Sequence, residues 1–501
     1  MLLKKFSVVA LLLVASLAQA QVYAFFNTDN PTSLTDYSYF NGANGHVLTA
    51  ANGNVAGITI VMGWANYDSG TASSGPVLNT TALNTLDSRL CAVAGGTYSG
   101  TNTGSASCSG ALGTINFRIG NMSGSSPNTF TPTYTYLSTW TANALCQMNG
   151  TPCAHDQSFC ACTAFQGAGT NLNQCGTQAG GMDTTAVPSV WEANHVSAFL
   201  IWLQDLIQYY SAGGITISSQ NYKSGITSLI SYMDIGTGGS GQATLYCYTL
   251  QTAGSGGYPS PLLSRSVWSN GAGNYHSTVY ATAKAAAVAA GATYSLIGAF
   301  GNGSGTGTVP TNWQDDTAAD AIAVSMGTGG QGLTMAQPSG GGLSGWNYLL
   351  ASGLTCGADS CNILNTYQGQ IPRVSGKRLF VFQPISATNP SCVDQPSTCN
   401  QAGSLVPILN WASAHYIPAM EVAAIPDLVC AYIATLPTDG TFTSNCNIAN
   451  SGATGYGACG GSQAACQTGL QTAIANFSIG SPAGTSKRSG AARHSGAAAA
   501  Q

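Results

Sequence analysis

Eight short runs rich in β-branched and aromatic residues recur along the chain, and stretches with helical spacing of apolar residues lie between them. Strands that alternate with helices predict an α/β fold with a parallel sheet. Eight is the number of parallel strands that closes a (β/α)8 TIM barrel, so the sequence predicts that architecture. The predicted strands are Val22 to Phe26, Gly57 to Gly63, Thr114 to Ile119, Leu229 to Ile235, Thr293 to Phe300, Gly332 to Gln337, Arg378 to Gln383 and Tyr416 to Val422.

The clearest predicted helix covers residues 195–210, "HVSAFLIWLQDLIQYY". Apolar residues recur there at helical spacing, and the pair Gly213-Gly214 supplies a stop signal. Similar patterns predict helices at residues 81–95, 278–291, 315–327, 404–414 and 463–477.

The first twenty residues have the pattern of a secretory signal peptide. A basic start is followed by an apolar stretch from Val8 to Leu17 and by Ala18-Gln19-Ala20. The mature protein is therefore expected outside the cytoplasm, in the periplasm, at the cell surface or in the medium. No later apolar run has the roughly 18 to 20 residues that a membrane helix needs, so no membrane span is expected.

Residues 21–480 are predicted to form a single barrel domain. A cysteine-rich insertion is expected at about residues 121–187, and a disordered low-complexity tail at residues 481–501. Sixteen cysteines in an exported chain favour disulfides over zinc, although their connectivity stays open. The spacing around His155 in the insertion fits no common zinc pattern, so neither a metal nor a cofactor is expected.

Charge is scarce throughout the sequence. Charged residues make up 6% of the chain, against roughly 25% in an ordinary soluble domain, and the formal net charge is -4. Such a chain has no positive electrostatic potential strong enough to bind a polyanion, which argues against nucleic acid as a partner. A low content of charged residues suits an acidic environment outside the cell. Carboxylates become protonated there, and a protein with many basic residues would be left with cations that repel one another.

Glu421 is one of only two glutamates in the chain, and it lies inside the eighth predicted strand. Strand alternation places Ile417, Ala419 and Glu421 on one face, with Glu421 at the last inward position, pointing into the mouth of the barrel. A structural alternative is that Glu421 is the buried partner of Arg118, which forms the polar face of the third strand together with Asn116.

Two further acids are candidates for the same rim. Glu192 lies in the loop after the third strand, where a helix-capping or ion-pair role is the alternative. Asp234 is expected to face inward together with Ile230 and Tyr232 on the fourth strand. Trp64, Trp191 and Trp313 lie near strand ends, where they can serve as platforms for sugar rings or simply pack.

The segments "GITIVMGWANYDSG", "INFRIG", "SLISYMDIGTGG" and "HYIPAMEVAAIPDLVCAY" follow one another in an order that resembles bacterial glycoside-hydrolase-like TIM barrels of the beta-galactosidase and cellulase clan. The resemblance implies a carbohydrate site with Trp64 and Asp68 after the second strand, followed by a helix that carries the pair Leu86 and Asp87. In that clan, glutamates at the ends of strands four and seven are the acid/base and the nucleophile. Here those strands end in Asp234 and Gln383, so neither glutamate is present.

These observations predict a secreted carbohydrate-active protein, with oligo- or polysaccharide as its partner. Hydrolysis would use Glu421 as nucleophile or base, with Glu192 and Asp234 as competing proton donors. The alternative is a non-catalytic glycan-binding protein, or a self-assembling cell-surface or filament protein. A zinc or redox protein is a third interpretation, opposed by the absence of any CxxC pair. The expected substrate contacts are Trp64, Trp191, Arg118, Asp68, Gln383 and Trp313.

Overall fold

The structure of the protein is a computed structural model. It describes residues 21–26, 35–43, 45–71, 73–121, 130–132, 158–160, 186–188, 193–236, 275–301, 332–336, 380–383, 409, 419–422, 425–433 and 463–479.

Parallel strands form the centre of the described structure. They are β1 (Gln21–Phe26), β2 (Val55–Gly63), β3 (Thr114–Gly120), β4 (Ile230–Ile235), β5 (Ser295–Gly301), β6 (Gly332–Ala336), β7 (Phe380–Gln383) and β8 (Ala419–Val422). Neighbouring strands pair in the order β8-β1-β2-β3-β4-β5, and the short segments β6 and β7 continue the backbone pairing from β5. Each overlaps one of the predicted strands, so β-branched composition located the strands correctly.

The predicted (β/α)8 TIM barrel is nevertheless wrong for the described structure. Packed side chains are described on six adjacent strands, β8-β1-β2-β3-β4-β5, which form a curved, half-barrel parallel sheet. The short segments β6 and β7 extend the backbone pairing, and β7 meets β8 at two positions only. A (β/α)8 barrel also needs a helix after every strand. The described residues contain five helices longer than one turn, and none of them lies between β5 and β8.

The helices follow the apolar periodicity of the sequence. Their bounds are α1 (Val47–Ala50), α2 (Thr80–Val93), α3 (Ala193–Tyr209), α4 (Tyr275–Ala290), α5 (Ile425–Tyr432) and α6 (Gln463–Ile479). Helix α2 shows the local causes clearly. The Asn79 side chain accepts a hydrogen bond from the Ala82 N–H at 3.0 Å and caps the helix, and Gly95, at φ +81°, follows its end. Leu83, Leu86 and Leu90 form its buried face.

The sheet has two chemically different faces. Ile58, Ile60, Phe117 and Met420 lie on the face that packs against the helices in the main apolar core. Residues at the alternate positions lie on the other, inner face, where Tyr23, Tyr232, Ile297 and Ala419 make a second, smaller cluster. Side chains alternate along a strand. This separation therefore confirms the prediction that Asn116 and Arg118 lie on the polar, inner face of the third strand and that Glu421 lies on the same face as Ala419.

The side of the sheet predicted for one side chain was wrong. Ile230 was expected on the inner face with Tyr232 and Asp234, but it packs in the main core. The pairing of β4 with β3 shifts register between Ile230 and Met233. An irregularity of that kind changes the face on which the preceding side chains lie.

Three antiparallel ribbons accompany the sheet, formed by residues 97–99 with 107–109, 158–160 with 186–188, and 215–217 with 220–222. A disulfide joins Cys91 of α2 to Cys108 of the first ribbon.

Within the described ranges, no helix combines the length and the apolar character that crossing a membrane requires. The predicted signal peptide, most of the cysteine-rich insertion, the tail and the helices at residues 315–327 and 404–414 lie outside the described residues.

Gly57 marks the closest approach between β2 and β3. It lies just after a register shift between β1 and β2, and it pairs with Thr114 across β3. A β-carbon built on Gly57 would overlap the backbone oxygen of Thr114, which cannot rotate away as a side chain can.

The Gly57→Ala substitution is therefore expected to lower the free energy of unfolding by about 3 kcal/mol, the upper range for overpacking, because backbone must move. Urea denaturation measures the loss. Gly104→Ala is the matched control, since a β-carbon there meets nothing within 4 Å. Equal stability of the two variants would contradict the close approach.

Candidate functional site

A cluster of charged side chains lies on the inner face of the sheet, and we call Arg118, Asp234 and Glu421 the Arg118 cluster. The three residues come from β3, β4 and β8. Arg118 and Asp234 are paired positions on neighbouring strands, and Glu421 is the paired position of Tyr23 on β1. The parallel register therefore brings together residues up to 303 positions apart in the chain.

Arg118 binds both carboxylates at the same time. Its Nε donates to Asp234 Oδ2 at 3.0 Å, and its Nη2 donates to Glu421 Oε2 at 2.6 Å. The guanidinium carbon also lies 4.7 Å from the centre of the Phe25 ring, within range of a cation–π contact. Arg118 is 1% exposed and both acids are 0% exposed. Charges this deeply buried are stable only when paired and hydrogen-bonded, as these are.

A directed chain of hydrogen bonds ends at Glu421. The Tyr232 hydroxyl donates to Glu421 Oε1 at 2.6 Å and lies 2.8 Å from Thr59 Oγ1. Since the Tyr232 proton is committed to Glu421, the Thr59 hydroxyl must donate to Tyr232. Asn116 Nδ2 in turn donates to Thr59 at 3.5 Å, and Asn116 Oδ1 accepts from the Tyr232 backbone N–H at 3.2 Å. The side-chain donors Asn116 Nδ2, Thr59 Oγ1 and Tyr232 OH therefore point one after another toward the carboxylate.

Burial and charge act on the pKa values of this cluster. Burial alone would lower the pKa of Arg118, but the charges of Glu421 and Asp234 outweigh it, and the pKa is raised. Burial, reinforced by the charge of Glu421, raises the pKa of Tyr232 well above its usual value. The Tyr23 ring packs edge-on against the Tyr232 ring, with 5.4 Å between the ring centroids. Burial is the main cause that raises the pKa of Tyr23 to about 12. Arg118 is thus charged and both tyrosines are neutral at ordinary pH.

Two of the three predicted acids therefore come together, but not as expected. Glu421 and Asp234 both face inward, yet Glu421 does not point into open space, because it is fully buried and bound to Arg118. The alternative considered from the sequence, a buried partner for Arg118, describes its contacts in the structure. Glu192, Trp191 and Trp313 lie outside the described residues, and Gln383 is described only as the last backbone position of β7.

Trp64 and Asp68 lie at the carboxyl end of β2, as the sequence implied. Trp64 is fully buried, so within this structure it packs in the core and does not present a platform. Its Nε1 donates to Asp68 Oδ2 at 2.8 Å, while Asp68 Oδ1 accepts from the backbone of Gly70 and Val77. The ring of His195 packs edge-on against the Trp64 ring, with 5.5 Å between the ring centroids.

The resemblance placed Asp87 in the helix after the second strand without giving it a role, and the structure shows that it is fully buried on the apolar side of α2. Tyr209 and Tyr210 donate to its two oxygens at 2.9 and 3.0 Å. Burial raises the pKa of Asp87 to about 7, although hydrogen bonds from Ser224, the two tyrosines and Gly225 partly oppose the shift. An acid at the helical spacing of Leu83, Leu86 and Leu90 was the available signal.

No group of three or more histidine, cysteine, aspartate or glutamate side chains suited to a metal occurs among the described residues. Neither a scan against known protein-family models nor a search of curated proteins found a match to this chain.

Replacing Arg118 tests whether the Arg118 cluster holds the sheet together. Arg118→Met leaves two buried carboxylates without their cation, and we expect a loss of about 3 to 5 kcal/mol in the free energy of unfolding. The triple variant Arg118→Met, Asp234→Asn, Glu421→Gln removes all three charges and is expected to regain most of that loss. Urea titrations at pH 7 measure both variants. A single variant as stable as the wild type would contradict the role of the ion pairs.

Asp87 predicts a pH dependence of stability. Its folded pKa, about 7, lies above the ordinary value of 3.8, so the folded state binds the proton more tightly than the unfolded state does. Below about pH 4 the residue is neutral in both states and carries no penalty. As pH rises from about 4 to about 7 the unfolded state ionises first, and the fold loses up to about 4 kcal/mol.

The Asp87→Asn variant mimics the protonated acid and is expected to lack this loss. Urea titrations of wild type and variant between pH 3 and pH 8 measure the difference, which isolates Asp87 from all other titrating groups. Parallel curves for the two proteins would contradict the raised pKa.

Proposed function

We propose that the protein is an exported carbohydrate-binding protein that does not cleave its ligand with Glu421 and Asp234. The observation that carries this proposal is the double ion pair of Arg118, which engages both predicted catalytic carboxylates inside the sheet. The sequence supports a carbohydrate function, and the contacts of Arg118 with the two acids favour binding without cleavage.

Glycoside hydrolysis needs one protonated and one ionised carboxyl group on either side of the scissile bond. The Arg118 guanidinium binds Glu421 and Asp234 at the same time and occupies the space between them, where a scissile bond would have to lie. Both acids are also fully buried, so a sugar ring could reach neither without displacing the hydrogen-bonded inner face. These two features oppose a catalytic role for the pair.

Export is supported by the signal-like pattern of residues 1–20 and by the disulfide between Cys91 and Cys108, since such bonds persist in oxidising compartments. The low charge content supports an uncharged ligand. With 6% charged residues, the chain relies on hydroxyl and amide groups for polar contacts, and those groups pair well with the hydroxyls of neutral sugars.

Self-assembly at the cell surface is a second candidate, favoured by two exposed apolar side chains. Ile201 of α3 is 47% exposed and Val288 of α4 is 70% exposed, and these two helices pack against each other. A surface with little charge would also lower the repulsion between copies.

Binding and cleavage can be measured together on the exported protein. We expect retention of neutral oligosaccharides on a glycan array, with no new reducing ends released from the retained glycans, and the same binding by the Glu421→Gln variant if it remains folded. Cleavage by the wild type that Glu421→Gln abolishes would overturn the proposal in favour of hydrolysis. Ordered polymers seen by electron microscopy, with no glycan retained, would overturn it in favour of self-assembly.

A further inference from the structure

Asn84, Asp87 and Cys91 lie on one face of α2, because positions three and seven residues apart face the same side of a helix. Two contacts of the first ribbon fall at the ends of this face. The Tyr98 hydroxyl donates to Asn84 Oδ1 at 2.9 Å, and Cys108 forms the disulfide with Cys91. Asp87 therefore lies between a hydrogen bond and a covalent bond that both tie the ribbon to α2.

We call residues 97–109, the first ribbon with its connecting turn, the strap. Tyr98 and Cys108 are paired positions of this ribbon, so their side chains lie on the same face, the one toward α2. At the turn, Asn102 Nδ2 donates to the Thr80 backbone oxygen at 2.6 Å, where α2 begins. The strap thus runs along α2 from the last turn of the helix to its first.

The hydrogen bonds that Asp87 accepts come from neutral groups of α3 and of residues 224–225. The donors are Tyr209, Tyr210, Ser224 and the Gly225 backbone. Burial, followed by the charge of Asp87, raises the pKa of both tyrosines and of Tyr98, which faces the acid from the strap. Arg89 and Lys223, the cations nearest along the chain, are exposed. With no buried cation among these groups, the carboxyl group stays neutral only while water is kept away.

Gly225 joins this enclosure to the strap. Its backbone oxygen accepts from the Cys108 N–H at 3.0 Å. A β-carbon built on Gly225 would lie 2.6 Å from a ring carbon of Tyr98, so the ring lies directly against the backbone. The strap therefore covers the segment whose backbone bonds to Asp87, and displacing the strap exposes that segment to water.

The disulfide is the strongest tie of the strap. Asn102 is the one buried residue of the strap, and most of the others are exposed. A two-stranded ribbon is marginally stable by itself, and a segment with few buried apolar contacts opens locally at low cost. Hydrogen bonds to α2 exchange for bonds to water with a modest net loss. The covalent bond between Cys91 and Cys108 has no such substitute, so breaking it leaves the strap weakly held.

Cys108 is the sulfur that a reductant reaches first. Cys91 is 0% exposed, whereas Cys108 is half-buried. A thiolate that attacks a disulfide bonds to one sulfur and expels the other, so attack at Cys108 expels Cys91 as a thiolate. A second thiol of the same reagent then releases Cys108.

We propose that the disulfide between Cys91 and Cys108 holds the strap closed over Asp87, and that its reduction by a dithiol opens the strap, hydrates the carboxyl group and releases its proton. The dithiol gives two electrons and two protons, becomes a disulfide itself, and leaves Cys91 and Cys108 as thiols. The proton of Asp87 passes to water. This device belongs to the scaffold and acts with or without a carbohydrate ligand.

The first test uses the full exported chain with ¹³C in the aspartate side-chain carboxyl groups, titrated by NMR between pH 3 and pH 9. The Asp87→Asn variant identifies the Asp87 signal by its absence. We expect a pKa of about 7 in the wild type and a fall below about 6 in the double variant Cys91→Ala, Cys108→Ala. Ser107→Ala, on the exposed side of the strap, should leave the wild-type value unchanged. A folded double variant with the wild-type pKa, or a wild-type pKa near 3.8, would overturn the proposal.

The second test leaves both cysteines in place. Wild type and Asp87→Asn are equilibrated with mixtures of reduced and oxidised dithiothreitol at pH 5 and pH 8. Alkylation and mass spectrometry of the peptides then measure the reduced fraction of Cys91 and Cys108. Linkage is reciprocal, so ionisation of Asp87 must favour reduction. A fall in the pKa from about 7 to about 6 predicts that the equilibrium constant for reduction rises about eightfold more in the wild type than in the variant between the two pH values.

Equal pH dependence of reduction in the two proteins would contradict the coupling between the disulfide and Asp87. A disulfide that no mixture reduces would contradict the role of the dithiol. Either result overturns the proposal even if the double variant fails to fold.

Discussion

The inner face of the sheet depends on one cation. Arg118 is the common partner of Asp234 and Glu421, and the orientation of Tyr232, Thr59 and Asn116 follows from the hydrogen bonds that Glu421 accepts. Because an unpaired buried charge is costly, the strands that carry these residues must keep their register. The polar interior therefore specifies how β3, β4 and β8 are arranged, while the apolar face toward the helices supplies most of the burial.

The sequence was informative about strands and their faces because both depend on local alternation. Asn116 and Arg118 against Ile115 and Phe117 could be assigned from the sequence, and so could the inward direction of Glu421 and Asp234. The (β/α)8 architecture could not, because strand composition carries no information on whether a helix follows each strand. The error at Ile230 has a similar origin, since a register shift interrupts the alternation on which the prediction rests.

Features that depend on long-range contacts were beyond the sequence. That Arg118 binds two acids at once follows from the position of β8 relative to β3, which no local pattern reveals. The pairing of Cys91 with Cys108 was one of many connectivities that sixteen cysteines allow. His195 was read only as part of an amphipathic helix, because its unpaired nitrogens become apparent only when its neighbours are known. Asp87 was a partial exception, since its place in the helix after the second strand could be given from the sequence, whereas its tyrosine partners could not.

The scarcity of charge changes where pH acts on this protein. A surface with few ionisable groups responds little to acid, so the response is concentrated in the interior. The clearest interior response is that of Asp87. Acid relieves the penalty at Asp87, because burial makes the fold prefer the neutral form of this carboxyl group. The low charge content lowers the repulsion between cations in acid, and the protonation of Asp87 adds stability there, so both features act in the direction that an acidic exterior would require.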